Sequence, residues 1–274
     1  MKILLVPSEV EEAVEAARLL CSRCIVAGLD TYVQPPSKGV SEVDPEDLAL
    51  VVSMGGDGTF LRAVHLMEFK PVPVLGLNHG TLGFLCGNPQ RDELELIIDA
   101  LAGDLHVERR STVDATITDS EGHVFEVTAF NELAYSRGSS GHIVQYDYSI
   151  NGTKVAKLNA DGLVISSATG STAYALSAGG PIVSPSYQGM VVVPLSPHTL
   201  NSRAIVLAPS DVVEVEMYGR SYHEASLFVD GVPLDIDAPV SIVAHRGKNE
   251  VIVVDGGCDF FANVSNTFFG GCNA

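Results

Sequence analysis

Gly55-Gly56-Asp57-Gly58-Thr59 is the stretch of this chain whose residue types and spacing could most directly do chemistry. It follows the apolar run 48–53 and precedes a helical pattern over 60–67. A strand, a glycine turn and a helix start present backbone N–H groups to an anion such as a phosphate. Asp57 is the exception in such a cradle. Its charge repels an anion unless it holds a metal or accepts a proton. A second candidate is Phe130-Asn131-Glu132-Leu133, where an amide and a carboxylate follow a β run. Together they could satisfy both edges of a planar polar group or a pair of hydroxyls, or simply end a strand in solvent. A third is Thr169-Gly170-Ser171-Thr172-Ala173-Tyr174-Ala175-Leu176-Ser177, after an apolar strand and before Gly179-Gly180-Pro181. Its hydroxyls and N–H groups could ligate phosphate or cap a short helix. Asp230-Gly231 taken alone reads as a hairpin turn.

The elements that must position these residues change character near residue 103. Before it, strands alternate with helices: Ile3 to Val6, a helix with Val10, Ala13, Val14, Ala17 and Leu20 at helical spacing, then Leu29 to Val33. The strand into the glycine turn and its helix follow. Val72 to Leu77 ends in a second glycine loop, Asn78-His79-Gly80-Thr81-Leu82-Gly83-Phe84, and a helix covers Asp92 to Leu101. Such a series predicts an α/β domain with a parallel sheet over residues 1–102, its ligands beyond the carboxyl ends of the strands. Residues 103–260 alternate apolar and polar between turn signals, which predicts an all-β, β-sandwich-like domain. Residues 261–274 read as a tail, docked on the first domain or frayed.

Composition narrows the functions. A 274-residue chain with 46% hydrophobic residues and a mean hydropathy of +0.24 can bury a large core. No apolar run reaches the roughly 18 residues of a membrane span. A net charge of −18, spread along the chain, argues against a nucleic-acid partner. Small anionic ligands remain compatible with it, held by local N–H groups, a few Arg or Lys, or a bridging cation. Five cysteines without a disulfide framework suit a reducing cytoplasm. Cys21 and Cys24 form a CxxC, but with no second pair it reads as helix packing rather than zinc binding. Walker, GxGxxG, GxSxG and HExxH patterns are all missing from the sequence, which disfavours a P-loop enzyme, an ordinary dehydrogenase, an α/β-hydrolase and a zinc protease.

The set Gly55–Thr59, Asn78-x-Gly80-x-Leu82-Gly83-Phe84-Leu85, Asn131-Glu132, Asp161-Gly162 and Thr169 through Pro181 resembles the NAD kinase family in order and spacing. The resemblance stretches from Gly55 to Gly231. It implies phosphorylation of the 2′-hydroxyl of the adenosine ribose of NAD, giving NADP, with ATP or polyphosphate as donor and a divalent cation, Mg²⁺ foremost. It implies that Asp57 is the proton acceptor and that Gly55, Gly56, Gly58 and Thr59 form the phosphate-donor loop. Asp57, Gly58, Arg62, Asn131, Glu132, His142, Asp161, Thr172, Ala173, Tyr174, Ala175, Leu176 and Ser177 would contact NAD. No residue is assigned to the metal. Family members are usually homodimers or homotetramers; the cysteines, charge and hydropathy of this chain add a cytoplasmic setting with no nucleic-acid or membrane partner. Ala168, Val232 and Asn159 depart from the family's usual residues. Two rival readings are a lipid or sphingoid-base kinase, which would share only Gly55–Thr59, and a non-catalytic NAD-binding sensor.

Overall fold

A computed structural model of the chain describes residues 2–37, 39–79, 83–87, 91–138, 141–219 and 225–270. Gly80, Thr81 and Leu82 of the second glycine loop, and Cys272, lie outside them. The chain forms two compact units, Met1–Arg109 with Val251–Ala274, and Arg110–Glu250.

In the first unit β1 (Lys2–Pro7), α1 (Glu11–Val26), β2 (Asp30–Val33), β3 (Leu48–Gly55), α2 (Asp57–Leu66), β4 (Val74–Asn78) and α3 (Glu93–Ala102) follow in turn. The strands pair in parallel in the order β2-β1-β3-β4. Val253 and Val254 then pair with Val74 and Leu75, also in parallel. A parallel strand covered on both faces must be apolar throughout, which is why β3 is almost wholly buried. Ala13, Ala17, Leu20 and Cys24 recur at helical spacing and form the buried stripe of α1. Cys24 thus packs in the core, and the Cys21 thiol donates to the Thr31 carbonyl at 3.3 Å. The Asp92 carboxylate caps α3 through the N–H groups of Leu94 and Glu95. Gly103, at φ 80°, ends the helix in the left-handed turn that glycine adopts without strain.

The second unit is antiparallel β. Its strands are β5 (Val107–Asp119), β6 (Val124–Ala129), β7 (Glu132–Ser136), β8 (Val144–Ile150), β9 (Thr153–Ala160), β10 (Gly162–Ser167), β11 (Met190–Leu195), β12 (Ile205–Leu207), β13 (Val212–Tyr218), β14 (Ser226–Val229), β15 (Val232–Pro233) and β16 (Pro239–Val254). One sheet carries β16-β13-β8-β9, with β5 beside β16 and β6 beside β5; the other runs β12-β11-β10-β7-β14-β15. Tyr146, Val215 and Ile242 of the first sheet share one buried core with Tyr135, Leu163, Ile165 and Val192 of the second. Two sheets with a common core make a sandwich. The sequence reading expects a Thr-Gly-Ser-Thr turn and then a short helix after β10. A 3₁₀ turn (Thr169–Thr172) and a one-turn helix, α4 (Tyr174–Ser177), stand there. The backbone breaks at Ala173, with φ −96° and ψ −126°. Ala175 of α4 packs on Val164, Val191 and Val193, covering the opposite face of the second sheet.

The chain returns to the first unit at Val251 and ends in α5 (Phe260–Phe268), capped by the Asp259 carboxylate on the Ala262 N–H. The segment read as a docked or frayed tail is therefore a helix over Phe260–Phe268. Its Phe260 and Phe268 rings both lie against Phe84.

Candidate active site

Asp57 opens α2, directly after the extended cap residue Gly56, so its backbone belongs to the electropositive first turn of the helix. The carboxylate is held by two N–H donors from one loop. Phe84 N–H donates to Oδ2 at 2.9 Å and Leu85 N–H donates to Oδ1 at 3.0 Å. An ionised carboxylate offers about four acceptor positions. Among the described residues two of these positions are used, and the Phe84 and Leu85 N–H groups set the direction of the carboxylate. A side chain at Gly83 would overlap the Asp57 carboxylate, and one at Gly55 would overlap the Thr59 hydroxyl. Both glycines therefore permit close approach. The neighbouring Cys86 is not a competing nucleophile: burial, helped by the charge of Asp57, pushes its thiol up to about 12.

Arg62, one helical turn beyond Gly58, uses its guanidinium on backbone. Nη1–H donates to the Pro7 carbonyl at 3.0 Å and Nη2–H to the Pro35 carbonyl at 2.7 Å. It joins the carboxyl ends of β1 and β2, the edge where parallel sheets bind ligands. His79 extends the same rim. Its N–H donates to the Gly55 carbonyl at 3.2 Å and its ring pairs with Glu93 at 2.7 Å.

In the second unit the residues cluster around the turn between β6 and β7. Asn131 and Glu132 are buried, at 8% and 6% exposure. The turn is fixed from two sides. The Ser166 and Ser167 hydroxyls donate to the carbonyls of Asn131 and Phe130, and the Ser167 N–H also donates to Asn131. The Asp230 carboxylate accepts the N–H groups of Phe130, Asn131 and Glu132 at 2.9, 2.6 and 3.1 Å. Gly170 has no room for a side chain against the Asn131 carbonyl, which brings the Thr169–Ser177 segment onto this turn. The Tyr174 N–H is a hydrogen-bond partner of the Glu132 carboxylate, and its Oε2 oxygen is buried without a hydrogen bond among the described residues. Burial first, and the charge of Asp230 second, push Glu132 up to about 7, against the Tyr174 hydrogen bond. Asp161 pairs with Arg137 at 3.2 Å, and His142 lies exposed between β7 and β8. Asn159 accepts a hydrogen bond from Gln145 at 3.0 Å.

Asp230 is the candidate site residue that its own sequence window hides. Asp-Gly explains itself as a turn, and the partners of its carboxylate lie about a hundred residues away. A local signal exists only in the backbone. Asp230 sits at φ 49°, a left-handed position that Asn or Gly would adopt as readily. Asp230→Ala strands three N–H groups and is expected to lower stability by about 3 kcal/mol or more, with a higher KM for NAD. Thermal melting beside NAD titration checks both. An unchanged melting temperature would contradict the assignment.

An N–H-lined strand–helix turn with an oriented carboxylate is the equipment of a phosphotransferase acting on a hydroxyl. The ATP-NAD kinase N-terminal domain matches residues 5–104, and the ATP-NAD kinase C-terminal domain matches residues 130–255. An NAD kinase of Porphyromonas gingivalis is 35% identical over 225 residues, covering 82% of this chain and 77% of that protein. An NAD kinase of Ralstonia nicotianae is 39% identical over 212 residues, covering 76% and 70%. Among solved structures, yeast NADH kinase complexed with NADH superposes with a TM-score of 0.86 at 23% identity, over 100% of this chain and 89% of that one. An NAD kinase from Archaeoglobus fulgidus in complex with ATP gives 0.76 at 22% identity, over 98% of each. The chain belongs to the NAD kinase family.

Proposed function

We propose that this protein phosphorylates the adenosine-ribose 2′-hydroxyl of NAD to form NADP, with ATP as donor. Its family membership supplies the acceptor, and the oriented Asp57 carboxylate is the single observation that carries the chemistry. A bond forms between the 2′-oxygen and the γ-phosphorus while the bond from that phosphorus to the β–γ bridging oxygen breaks. The 2′-hydroxyl proton passes to Asp57. A ribose hydroxyl is a poor nucleophile, so a carboxylate that receives its proton as transfer proceeds lowers the barrier. Gly55, Gly56, Gly58 and Thr59 supply the backbone that faces the donor phosphates.

Asn131 and Glu132 act as the polar clamp for NAD hydroxyls, held in register by Asp230. The Thr172–Ser177 segment, Asp161 and His142 complete the nucleoside contacts. Arg62 contributes positive charge at the carboxyl rim of β1 and β2. Its side chain is already braced, which removes the entropy cost of ordering it on binding.

Among the described residues no group of three His, Cys, Asp or Glu could hold a metal ion. Mg²⁺ is commonly carried by phosphates and water with one or two carboxylates. A divalent cation entering with ATP would supply charge screening of the donor phosphates. Among the described residues no helix is long and apolar enough to cross a membrane. A cytoplasmic homodimer or homotetramer, with polyphosphate as a second donor, completes the proposal.

The test is NADP formation from NAD, ATP and Mg²⁺, followed with an NADP-specific dehydrogenase. Product is expected with ATP. Labelling of lipid acceptors alone, or NAD binding without turnover under any donor, would overturn the reading in favour of a lipid kinase or a sensor.

A further inference from the structure

We infer that the C-terminal helix α5 is a positioning element for the Asp57 carboxylate, with Asn263 as its positioning residue. The inference rests on the role proposed for Asp57. Two consecutive peptide groups link the helix to the carboxylate. The peptide between Gly83 and Phe84 accepts the Asn263 Nδ2–H on its carbonyl at 2.9 Å and donates its own N–H to Asp57 Oδ2 at 2.9 Å. The next peptide, between Phe84 and Leu85, accepts the Cys258 thiol on its carbonyl at 3.4 Å and donates its N–H to Asp57 Oδ1 at 3.0 Å. A carbonyl that accepts a hydrogen bond polarises its peptide and strengthens the N–H at the other end. Each carboxylate oxygen is thus served by one peptide, and each peptide by one side chain from α5 or its lead-in. Asn263 Nδ2 also reaches the Cys258 sulfur at 3.5 Å, which joins the two relays.

Packing fixes the same loop. Phe84 stacks on Phe268 with ring centres 6.2 Å apart and planes 9° from parallel, and tilts against Phe260 at 5.9 Å. Gly87 has no space for a side chain against the Gly256 backbone, and Gly83 has none against Asp57. Asn263 is the buried residue of α5. An apolar side chain would serve better there if packing were its whole purpose, because burying an amide is unfavourable unless it is hydrogen-bonded. The Gly83 carbonyl is what it bonds. Since the two N–H groups determine which lone pairs of Asp57 face outward, a loop that shifts by a fraction of an ångström misdirects the proton acceptor.

The experiment is a double-mutant cycle on the full-length protein. It measures kcat, KM for NAD and ATP, and melting temperature for wild type, Asn263→Ala, Asp57→Asn and the double variant. Asn263→Ala is expected to lower kcat roughly 10- to 100-fold, with KM for NAD changed by less than about twofold. In the Asp57→Asn background the same change should cost nothing further, because its effect passes through the carboxylate. An equal fold-loss in both backgrounds would mean a general structural role and would overturn the inference. Unchanged kcat in Asn263→Ala beside a crippled Asp57→Asn would overturn the inference alone. Near-normal turnover in Asp57→Asn would instead overturn the role of Asp57, and this inference with it. Should Asn263→Ala melt below the assay temperature, Asn263→Asp keeps the shape without the donor and is expected to show the same kcat loss.

Discussion

Asp57→Asn is expected to lower kcat for NADP formation by roughly 10²-fold or more while leaving NAD affinity largely intact. The substitution has two consequences, and their sizes separate them. Asparagine keeps one acceptor oxygen and replaces the other with an NH₂ group. One of the two donors, Phe84 N–H or Leu85 N–H, then faces another donor. Leaving one buried donor unpaired costs about 1–3 kcal/mol, and that cost appears in the melting temperature. Loss of the proton acceptor is different in kind. It leaves binding alone and removes a contribution of roughly 10²–10⁴ to the chemical step. A small drop in melting temperature, a near-normal KM for NAD and a collapsed kcat is therefore the expected pattern. A kcat within about threefold of wild type would show that the 2′-hydroxyl proton leaves by another route.

The glycine turn was legible because everything that makes it lies within twenty residues: an apolar strand, two glycines, an acid and a helix. Strand alternation in the second unit was legible for the same reason, since a period of two needs only a short window. The orientation of Asp57 was not. It depends on the backbone N–H groups of Phe84 and Leu85, in a loop that the strand order places at the ligand edge without linking it to Asp57, and on Asn263, 180 residues beyond Gly83. Nothing in Phe260–Phe268 signals that its one buried amide faces a loop beside the Asp57 carboxylate. Arg62 shows the opposite limit. The family resemblance implies that it contacts NAD, yet two of its donors are committed to the carbonyls of Pro7 and Pro35, a commitment that helical periodicity cannot reveal.

These long-range contacts share a physical logic. In each unit a carboxylate of the proposed site depends on backbone groups for its place. Asp57 is held by N–H groups that a distant helix braces. Glu132 sits on a turn whose N–H groups a distant Asp230 gathers. Backbone donors spend no side-chain entropy and cannot rotate away, so they suit groups whose direction must survive turnover. The arrangement also carries a cost. Asp230 holds the turn by placing a second negative charge near Glu132, and that charge, added to burial, disfavours the ionised form that would accept hydrogen bonds from NAD hydroxyls.

Glu132→Gln is accordingly expected to stabilise the protein at alkaline pH while weakening NAD binding. Glu132 rises from its ordinary 4.5 to about 7 in the folded protein. Between those values the folded state holds a proton that the unfolded state releases, so this group makes stability fall as pH rises from about 4.5 to 7. The penalty is on the order of 3 kcal/mol and is complete above pH 7. Glutamine carries no such charge. Its amide still leaves a polar atom where Oε2 has no partner, but that cost does not depend on pH. Comparing the two proteins by denaturant unfolding at pH 5 and pH 8 isolates the charge: part of the penalty is already present at pH 5, so the variant should gain about 2.5 kcal/mol relative to wild type between them. Binding should run the other way. Wild-type KM for NAD is expected to climb as pH falls below about 7 and Glu132 becomes protonated. Glutamine accepts through one oxygen only, so its KM should be roughly 10-fold higher at pH 8 and flat across that range. A variant whose KM keeps the wild-type pH dependence would assign the titration to another group. Equal affinities at pH 8 would remove Glu132 from the NAD contacts, leaving its burial to be explained by the sandwich alone.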